Sequence, residues 1–517
     1  MKQEQNTQKL DKAFLGHPKP LFALSATELW ERFSFYGIRP LLVLFMTATL
    51  LSGGLGMSKE EASAIAGIFG GCIYLAALPG GWIADNYLGQ KRAVFIGCVV
   101  IALGHLSIGL SYFNTALFFV GLGLIVIGTG LFKTCSSVMV GMMYDKKDPR
   151  RDSGFTIFYM GINIGGFIAP LVTGFLQTQY GWHLGFGAGG IGMLIALLIF
   201  AFKAVPDFKE FDEKVGMDEA WDKATKYNKN APYFIAVFFI ALVGIAILSV
   251  SGVINLNPVA IAKSMTMVIL WCAGFYFLYL FFLSSLTKDE KKNLILFVIL
   301  FFAAAVFWSV FEQQYTTYNF FADKLTDKMV LGYEIPTVWF QSINALFIIL
   351  LAPVIGGIWV FLAKRNCEFS SLTKFSLGLI GAGVGFLIMA FAAGSIISNN
   401  GGVENATNAV ASGSAILASP WWIVASFLFL TLGELCLSPV GLSIMTKIAP
   451  GAIKSQVMGL WFVSISVGNV LAGLIGGHAN EENLATLPDL FYQCVWILFA
   501  VAAVLLVFKN FVKKLEN

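Results

Sequence analysis

Charge is what this sequence has least of. Asp, Glu, Lys and Arg make up 12% of its 517 residues, about half of the ~25% usual in a soluble protein. A chain that is also 57% hydrophobic, with a mean hydropathy of +0.77, falls outside the ordinary soluble classes. Four histidines are present, none beside another, which removes the usual spacings of zinc sites and catalytic triads. The seven cysteines lie mostly in apolar segments without metal-ligand spacing; they read as small buried hydrophobes and not as a disulfide framework. No nucleophile–base constellation is visible, so neither an enzyme nor a bound cofactor or metal is expected. The glycine-rich stretches GLGLIVIGTG and FGAGGIGM lack the strand context of nucleotide-binding loops and read as close helix packing. The first twenty residues are polar and mixed in charge, unlike a cleaved signal peptide or an Arg-rich transit peptide.

What the chain has instead is long apolar runs. APYFIAVFFIALVGIAILSV contains no Asp, Glu, Lys, Arg or His and can span a hydrocarbon core of ~30 Å. Hydropathy and breaker residues predict an all-α polytopic membrane protein of fourteen spans. Six lie at 21–50, 61–84, 93–112, 116–142, 153–178 and 184–203, two near 231–251 and 265–287, and six near 293–317, 336–363, 372–396, 419–446, 453–476 and 489–511. The expected organisation is an N-terminal segment (1–20), a six-helix bundle (21–203), a connector (204–230), an inserted hairpin (231–292), and a second six-helix bundle with its tail (293–517). The connector is rich in both lysine and acids and reads as a solvated, partly amphipathic linker at the membrane face.

Basic residues orient the chain. With the N-terminus inside, 27 of the 34 Lys and Arg fall on inner segments, and the outer loops carry only Lys59, Lys263, Lys324 and Lys328. This asymmetry places both termini in the cytoplasm. It also accounts for the net charge of +4, so nucleic acid need not be a partner. Three basic residues remain, Arg32, Arg39 and Lys133, all within spans. The comparable acids are Glu28, Glu31, Glu312 and Glu434. A charge at the centre of a bilayer costs roughly 2.5–3.5 kcal/mol even on the lenient insertion scale, so these seven are the functional candidates.

In the first span, ELWERFSFYGIRP, the residues Glu28, Glu31, Arg32, Tyr36 and Arg39 fall within an arc of about 140°. Glu28 and Arg32 are i,i+4 neighbours with Glu31 beside them, so these three can satisfy one another. Arg39, more than a turn further on, and Lys133, in GLGLIVIGTGLFKTCSS, have no acid within a helical turn. Two such cations suggest that the anion arrives as a ligand. The second half has the opposite sign. Glu312 follows an aromatic run in FWSVFEQQY, and Glu434 shares a face at i,i+4 with Ser438 in LTLGELCLSPVGLS. There Gly433, Pro439 and Gly441 are expected to loosen the helix, as in the broken helices where transporters often place their sites. Asn163 and Asn344 add mid-span amides. A cavity with one cationic and one acidic wall suits a short zwitterion.

At these residues the chain resembles the proton-dependent oligopeptide transporter family of the major facilitator superfamily, over nearly its whole length. The first helix carries ExxERFxxYG as Glu28, Glu31, Arg32, Phe33, Tyr36 and Gly37, with Phe35 where many members have a first tyrosine. Gly80-Gly81-Trp-Ile-Ala-Asp85 through Gly89-Gln-Lys91-Arg92 is similar to the superfamily's loop between helices two and three. Phe158-Tyr159 with Ile162-Asn163-Ile-Gly165 resembles the helix-five signature, and Gly433-Glu434-Leu with Ser438-Pro439-Val-Gly441-Leu-Ser443 resembles helix ten. The resemblance implies a major facilitator fold, two six-helix bundles plus a two-helix hairpin. It also implies a bacterial inner-membrane symporter that imports di- and tripeptides with protons by alternating access. By resemblance, Arg39 and Lys133 hold the peptide carboxylate, and Asn163, Asn344 and Glu434 face its amino end. Tyr36, Tyr74, Trp308 and Trp461 line the pocket, and Ser438 belongs to the same substrate site. Glu28, Glu31, Arg32 and Glu312 match residues of proton coupling. The extra hairpin is expected to be peripheral and lipid-facing.

A proton–drug antiporter needs acids facing a cationic drug, and Arg39 and Lys133 argue against it. A carrier of another small anion leaves Glu434 without a role. A nutrient sensor usually appends a large soluble domain, which this sequence does not show.

Overall fold

A computed structural model describes residues 13–144, 148, 150–215, 223–224, 227–254, 256–283, 286–365, 367, 369–448, 454–479 and 484–516. Most of the N-terminal segment expected at 1–20, and residues 216–222 of the expected connector, lie outside the described residues. The first bundle sequence folds as α1 (Pro20–Thr47), α2 (Lys59–Ile83), α3 (Gln90–Gly109), α4 (Ala116–Met142), α5 (Arg151–Tyr180) and α6 (Trp182–Ile199). The short α7 (Val205–Val215) precedes the inserted pair α8 (Ala231–Val250) and α9 (Pro258–Leu278). Then come α10 (Lys288–Phe311), α11 (Thr317–Lys324), α12 (Ser342–Lys364), α13 (Ser371–Asn399), α14 (Val403–Ser412), α15 (Trp421–Ile448), α16 (Lys454–Gly476) and α17 (Leu487–Glu516). A two-residue hairpin pairs β1 (Met329–Val330) with β2 (Tyr333–Glu334). Its turn residues, Leu331 and Gly332, both have positive φ, the geometry that follows the twist of a tight hairpin.

Among the described residues twelve helices are long and apolar enough to cross a membrane. The other two expected spans are α1, which carries Glu28, Glu31, Arg32 and Arg39, and the wholly apolar α8. The protein is a multi-pass helical membrane protein.

By their internal contacts the residues form two compact units, Met1–Leu41 with Cys72–Asn257, and Leu42–Gly71 with Pro258–Asn517. In the first unit α3 packs along α4, and glycine makes the approach possible. A Cβ at Gly97 would come within 2.8 Å of the Gly128 carbonyl oxygen, and one at Gly104 within 2.9 Å of that of Gly121. The run GLGLIVIGTG is thus a packing surface, as its composition predicts. α7 is not a free linker: Asp207, Phe208, Phe211 and Asp212 are buried, and Lys19 reaches Asp207 at 3.2 Å and Glu210 at 2.7 Å. Beside it, His17 Nδ1 lies 2.8 Å from the Tyr144 hydroxyl and Nε2 3.2 Å from that of Ser153. α8 is seated at its start, where Asn228 N–H donates to the Asn86 carbonyl at 2.8 Å and Tyr227 stacks on Tyr87.

In the second unit α13 packs on α15 and α17, and α10 on α16. Gly433 is a packing residue and not a loose point: a Cβ there would meet the Gly378 carbonyl oxygen at 2.6 Å. α15 runs unbroken through Pro439. α9 buries a stripe of Ala262, Thr266, Ile269, Ala273 and Phe277, and Ala262 shares a core with Ala64 and Val470. The second hairpin helix therefore has one docked face, a detail beyond the peripheral, lipid-facing position expected of the hairpin. The span expected at 293–317 is present but its α-helix is interrupted. α10 stops at Phe311, Glu312–Tyr315 form a 3₁₀ turn, and Thr316 departs to φ −124°, ψ −84° before α11 begins. Such an interruption often marks a functional hinge, and here it starts at Glu312.

Candidate functional site

The charged face of α1 is buried: Glu28, Glu31, Arg32 and Arg39 all lie in the interior of the first unit. Arg32 grips its sequence neighbour with both arms of its fork. Nε lies 2.5 Å from Glu31 Oε2 and Nη2 2.8 Å from Glu31 Oε1. This is the bidentate arrangement that makes Arg–carboxylate pairs strong. The i,i+4 partner Glu28 is further away, its Oε1 3.4 Å from Nε. Its other oxygen, Oε2, accepts a 3.0 Å hydrogen bond from the hydroxyl of Ser136 on α4. Arg39 lies over the Phe35 ring at 5.5 Å, and Arg32 lies over the same ring at 5.2 Å. Tyr36 sits next to Phe35, the ring centroids 5.1 Å apart.

Lys133 is on α4, one turn before Ser136. Its Nζ stands 4.0 Å from the centroid of the Tyr74 ring, and it makes no ion pair among the described residues. A cation over an aromatic face is partly stabilised by the ring quadrupole and keeps all three donors for another group. Asn163 is buried on α5 and turns one amide hydrogen back on its own helix, to the Tyr159 carbonyl at 3.0 Å. Among the described residues no hydrogen bond joins it to the charged cluster.

The second unit carries the acidic set. Asn344 on α12 bridges two groups of α15, its Nδ2 donating to Thr431 Oγ1 at 3.0 Å and to Glu434 Oε2 at 3.1 Å. The Thr431 hydroxyl passes its own proton to the Phe427 carbonyl at 2.7 Å. Glu434 is half-exposed, as is Ser438 one turn on, so an oxygen of Glu434 remains available to a ligand. Glu312 is buried at the break after α10. Trp308, one turn earlier, packs edge-on against Phe311, and its indole N–H has no hydrogen-bond partner among the described residues. Trp461 is fully buried, 1% exposed, with its ring end closing on Gly441. After Glu312 comes a buried polar network: Thr317 Oγ1 donates to Gln313 Oε1 at 3.0 Å, and Gln341 Nε2 to the Gln314 carbonyl at 2.6 Å and to Asn319 Oδ1 at 2.9 Å.

A model of the POT family matches residues 91–489. The chain belongs to the POT family. It is 52% identical over 508 residues to the peptide transporter YePEPT of Yersinia enterocolitica subsp. palearctica serotype O:3 (strain YE-P4), covering 98% of this chain and 96% of that one. It is 35% identical to a di-/tripeptide transporter of Lactococcus lactis subsp. cremoris, over 90% of both chains. Among solved structures it matches the peptide transporter POT crystallised in complex with sulfate, with a TM-score of 0.87 and 34% identity over 100% of this chain and 99% of that one. The fold is the major facilitator fold of this family, as the sequence predicts.

Two polar residues beside these side chains, one in each unit, were not singled out from the sequence. Ser136 and Thr431 each sit one helical turn from a charge that was, Lys133 and Glu434. Their signal was the i,i+3 spacing, which places them on the same side of the helix as the charge.

Proposed function

We propose that the protein is a proton-coupled symporter that imports di- and tripeptides across a bacterial inner membrane by alternating access. The observation that carries this reading is the opposite chemistry of the two units. The first offers a buried guanidinium, Arg39, and a half-buried ammonium, Lys133, the latter making no ion pair among the described residues. The second offers Glu434, braced by Asn344 and Thr431. A free peptide has a carboxylate for the former and an ammonium for the latter, so one substrate class answers both. In this reading Tyr36, Tyr74, Asn163, Trp308, Ser438 and Trp461 shape the surroundings of the two peptide ends. The Glu28–Glu31–Arg32 cluster and Glu312 handle the coupling proton. The distribution of Lys and Arg supports cytoplasmic termini, and the relatives' names, a peptide transporter and a di-/tripeptide transporter, support the substrate class.

The decisive measurement is peptide-driven proton uptake into proteoliposomes. Symport acidifies the lumen when a dipeptide is added outside. Antiport makes it alkaline, and a sensor leaves it unchanged. Either of the last two results overturns the proposal.

A further inference from the structure

We propose that Ser136 is the positioning residue that carries the charge state of Glu28 into the helix turn presenting Lys133, an inference that rests on the reading of the protein as a proton-coupled carrier. Ser136 is wholly buried. Its hydroxyl has two acceptors within reach, Glu28 Oε2 at 3.0 Å and the carbonyl oxygen of Lys133 at 3.2 Å. A hydroxyl has one proton to give, so the two acceptors compete. The groups facing Glu28 are Glu31 and Arg32 on its own helix, Lys133 and Ser136 on α4, and the buried Cys98 of α3. Among these the hydrogen-bonding contacts are Arg32, at the longer 3.4 Å, and Ser136.

The two glutamates are not equivalent. Both oxygens of Glu31 are engaged by the Arg32 fork, so a proton there breaks a bidentate pair. Glu28 gives up less. While it is ionised, Ser136 O–H donates to it, the stronger, charge-assisted choice. When a proton adds to Glu28 Oε2, that carboxyl O–H becomes the donor and Ser136 Oγ the acceptor. The serine proton then turns to the Lys133 carbonyl, and the count of donors and acceptors stays balanced. A serine hydroxyl bonded back onto its own helix bends that helix. The turn that bends carries the Lys133 side chain. Ser137 supplies an internal control: it reaches the same carbonyl at 3.4 Å but is exposed, and among the described residues it makes no hydrogen bond to Glu28.

The test uses the full-length protein in proteoliposomes, reading the pH dependence of proton-driven dipeptide uptake beside dipeptide counterflow at fixed pH. Ser136→Ala is expected to move the midpoint of the pH profile by about one pH unit, the scale of one charge-assisted hydrogen bond. Counterflow should stay within about two-fold of wild type. Ser136→Thr, which keeps the hydroxyl, should restore the profile, Ser136→Cys, close in size but a weak donor, should behave as alanine, and Ser137→Ala should match wild type. In a Glu28→Gln background Ser136→Ala should add nothing, because the group it senses is fixed. A wild-type pH profile in Ser136→Ala or Ser136→Cys overturns the proposal, as does an equal effect of Ser136→Ala in the Glu28→Gln background. A wild-type protein that moves no peptide in a proton gradient overturns the carrier reading itself.

Discussion

Replacing Gly165 by alanine puts a methyl group against the backbone of α1. A Cβ at residue 165 would lie 2.3 Å from the Leu29 carbonyl oxygen and 3.0 Å from the Phe33 amide nitrogen. Neither atom can rotate away, so the helices must part by about 0.7 Å to restore even a 3.0 Å contact. Overpacking of this kind costs about 1–3 kcal/mol. The turn from Leu29 to Phe33 carries Glu31 and Arg32, so the displacement also moves that bidentate pair. Gly187 on α6 is the counter-case, since a Cβ there meets nothing within 4 Å among the described residues. Alanine at that position should gain roughly 0.4–1 kcal/mol by restricting the unfolded chain. The same chemical change therefore has opposite signs at two positions of one bundle. Apparent unfolding midpoints in detergent, followed by intrinsic fluorescence, read the difference. At about 2–4 °C per kcal/mol, Gly165→Ala should lose roughly 2–12 °C and most of its uptake, while Gly187→Ala holds or rises. A Gly165→Ala protein with the wild-type midpoint and full uptake refutes the idea that this backbone contact sets the position of α1.

Arg39→Ala and Lys133→Ala should each lower peptide uptake by about 10–100-fold, the worth of a lost charge-assisted bond, with membrane levels retained; normal uptake by both removes the carboxylate clamp. N-acetylated dipeptides should compete at least about ten-fold more weakly than free ones, because Glu434 loses its ammonium partner; equal competition counts against that role. The last prediction concerns His17, outside the membrane, where burial and then the Arg150 guanidinium hold the imidazole below its ordinary value of 6.5 while Asp148 opposes them. A depressed histidine favours the neutral fold, so its contribution is complete above about pH 6.5 and fades as pH falls through the lowered value. The stability gap between wild type and His17→Gln should accordingly shrink from pH 7.5 to pH 5.5, and a gap that widens on acidification shows the sign to be wrong.

The spans and the intramembrane charges were legible because desolvation makes each charge in an apolar run expensive, and therefore rare enough to count. Partners chosen by three-dimensional proximity were less so. Helical spacing makes Glu28 the natural partner of Arg32, yet Glu31 takes the bidentate contact and Glu28 turns to α4. The break at Glu312 was hidden because EQQYTTYN has no proline or glycine to announce it. The Gln341 amide donates to the Gln314 carbonyl, and the Thr317 hydroxyl ties down the Gln313 side chain. Gly433 reads from the sequence as a loosening point, and only the position of Gly378 makes it a contact. The stripe on α9 consists of small and apolar residues in an apolar helix, where hydropathy cannot tell protein from lipid.

The packing of α1 limits how a proton can act. On one side α5 presses glycine against it, with Gly161 toward the Ser25 carbonyl and Gly165 toward that of Leu29. Farther along, Thr173 donates to the Gly37 carbonyl at 2.9 Å. On another side α6 does the same, with Gly189 toward the Ser34 carbonyl and Gly192 toward the Phe33 ring. Ser34 is further tied by a hydrogen bond to His105 of α3. Helices in backbone contact on two faces have little room to slide, because close-packed interiors do not deform continuously. A change of charge at Glu28 is thus poorly expressed as a movement of α1 itself. It must leave through side chains that can exchange partners, and Glu28 accepts its hydrogen bond from Ser136 of α4. The carboxylate that has a choice of partner, and the helix that bears the uncommitted lysine, are joined by one hydroxyl.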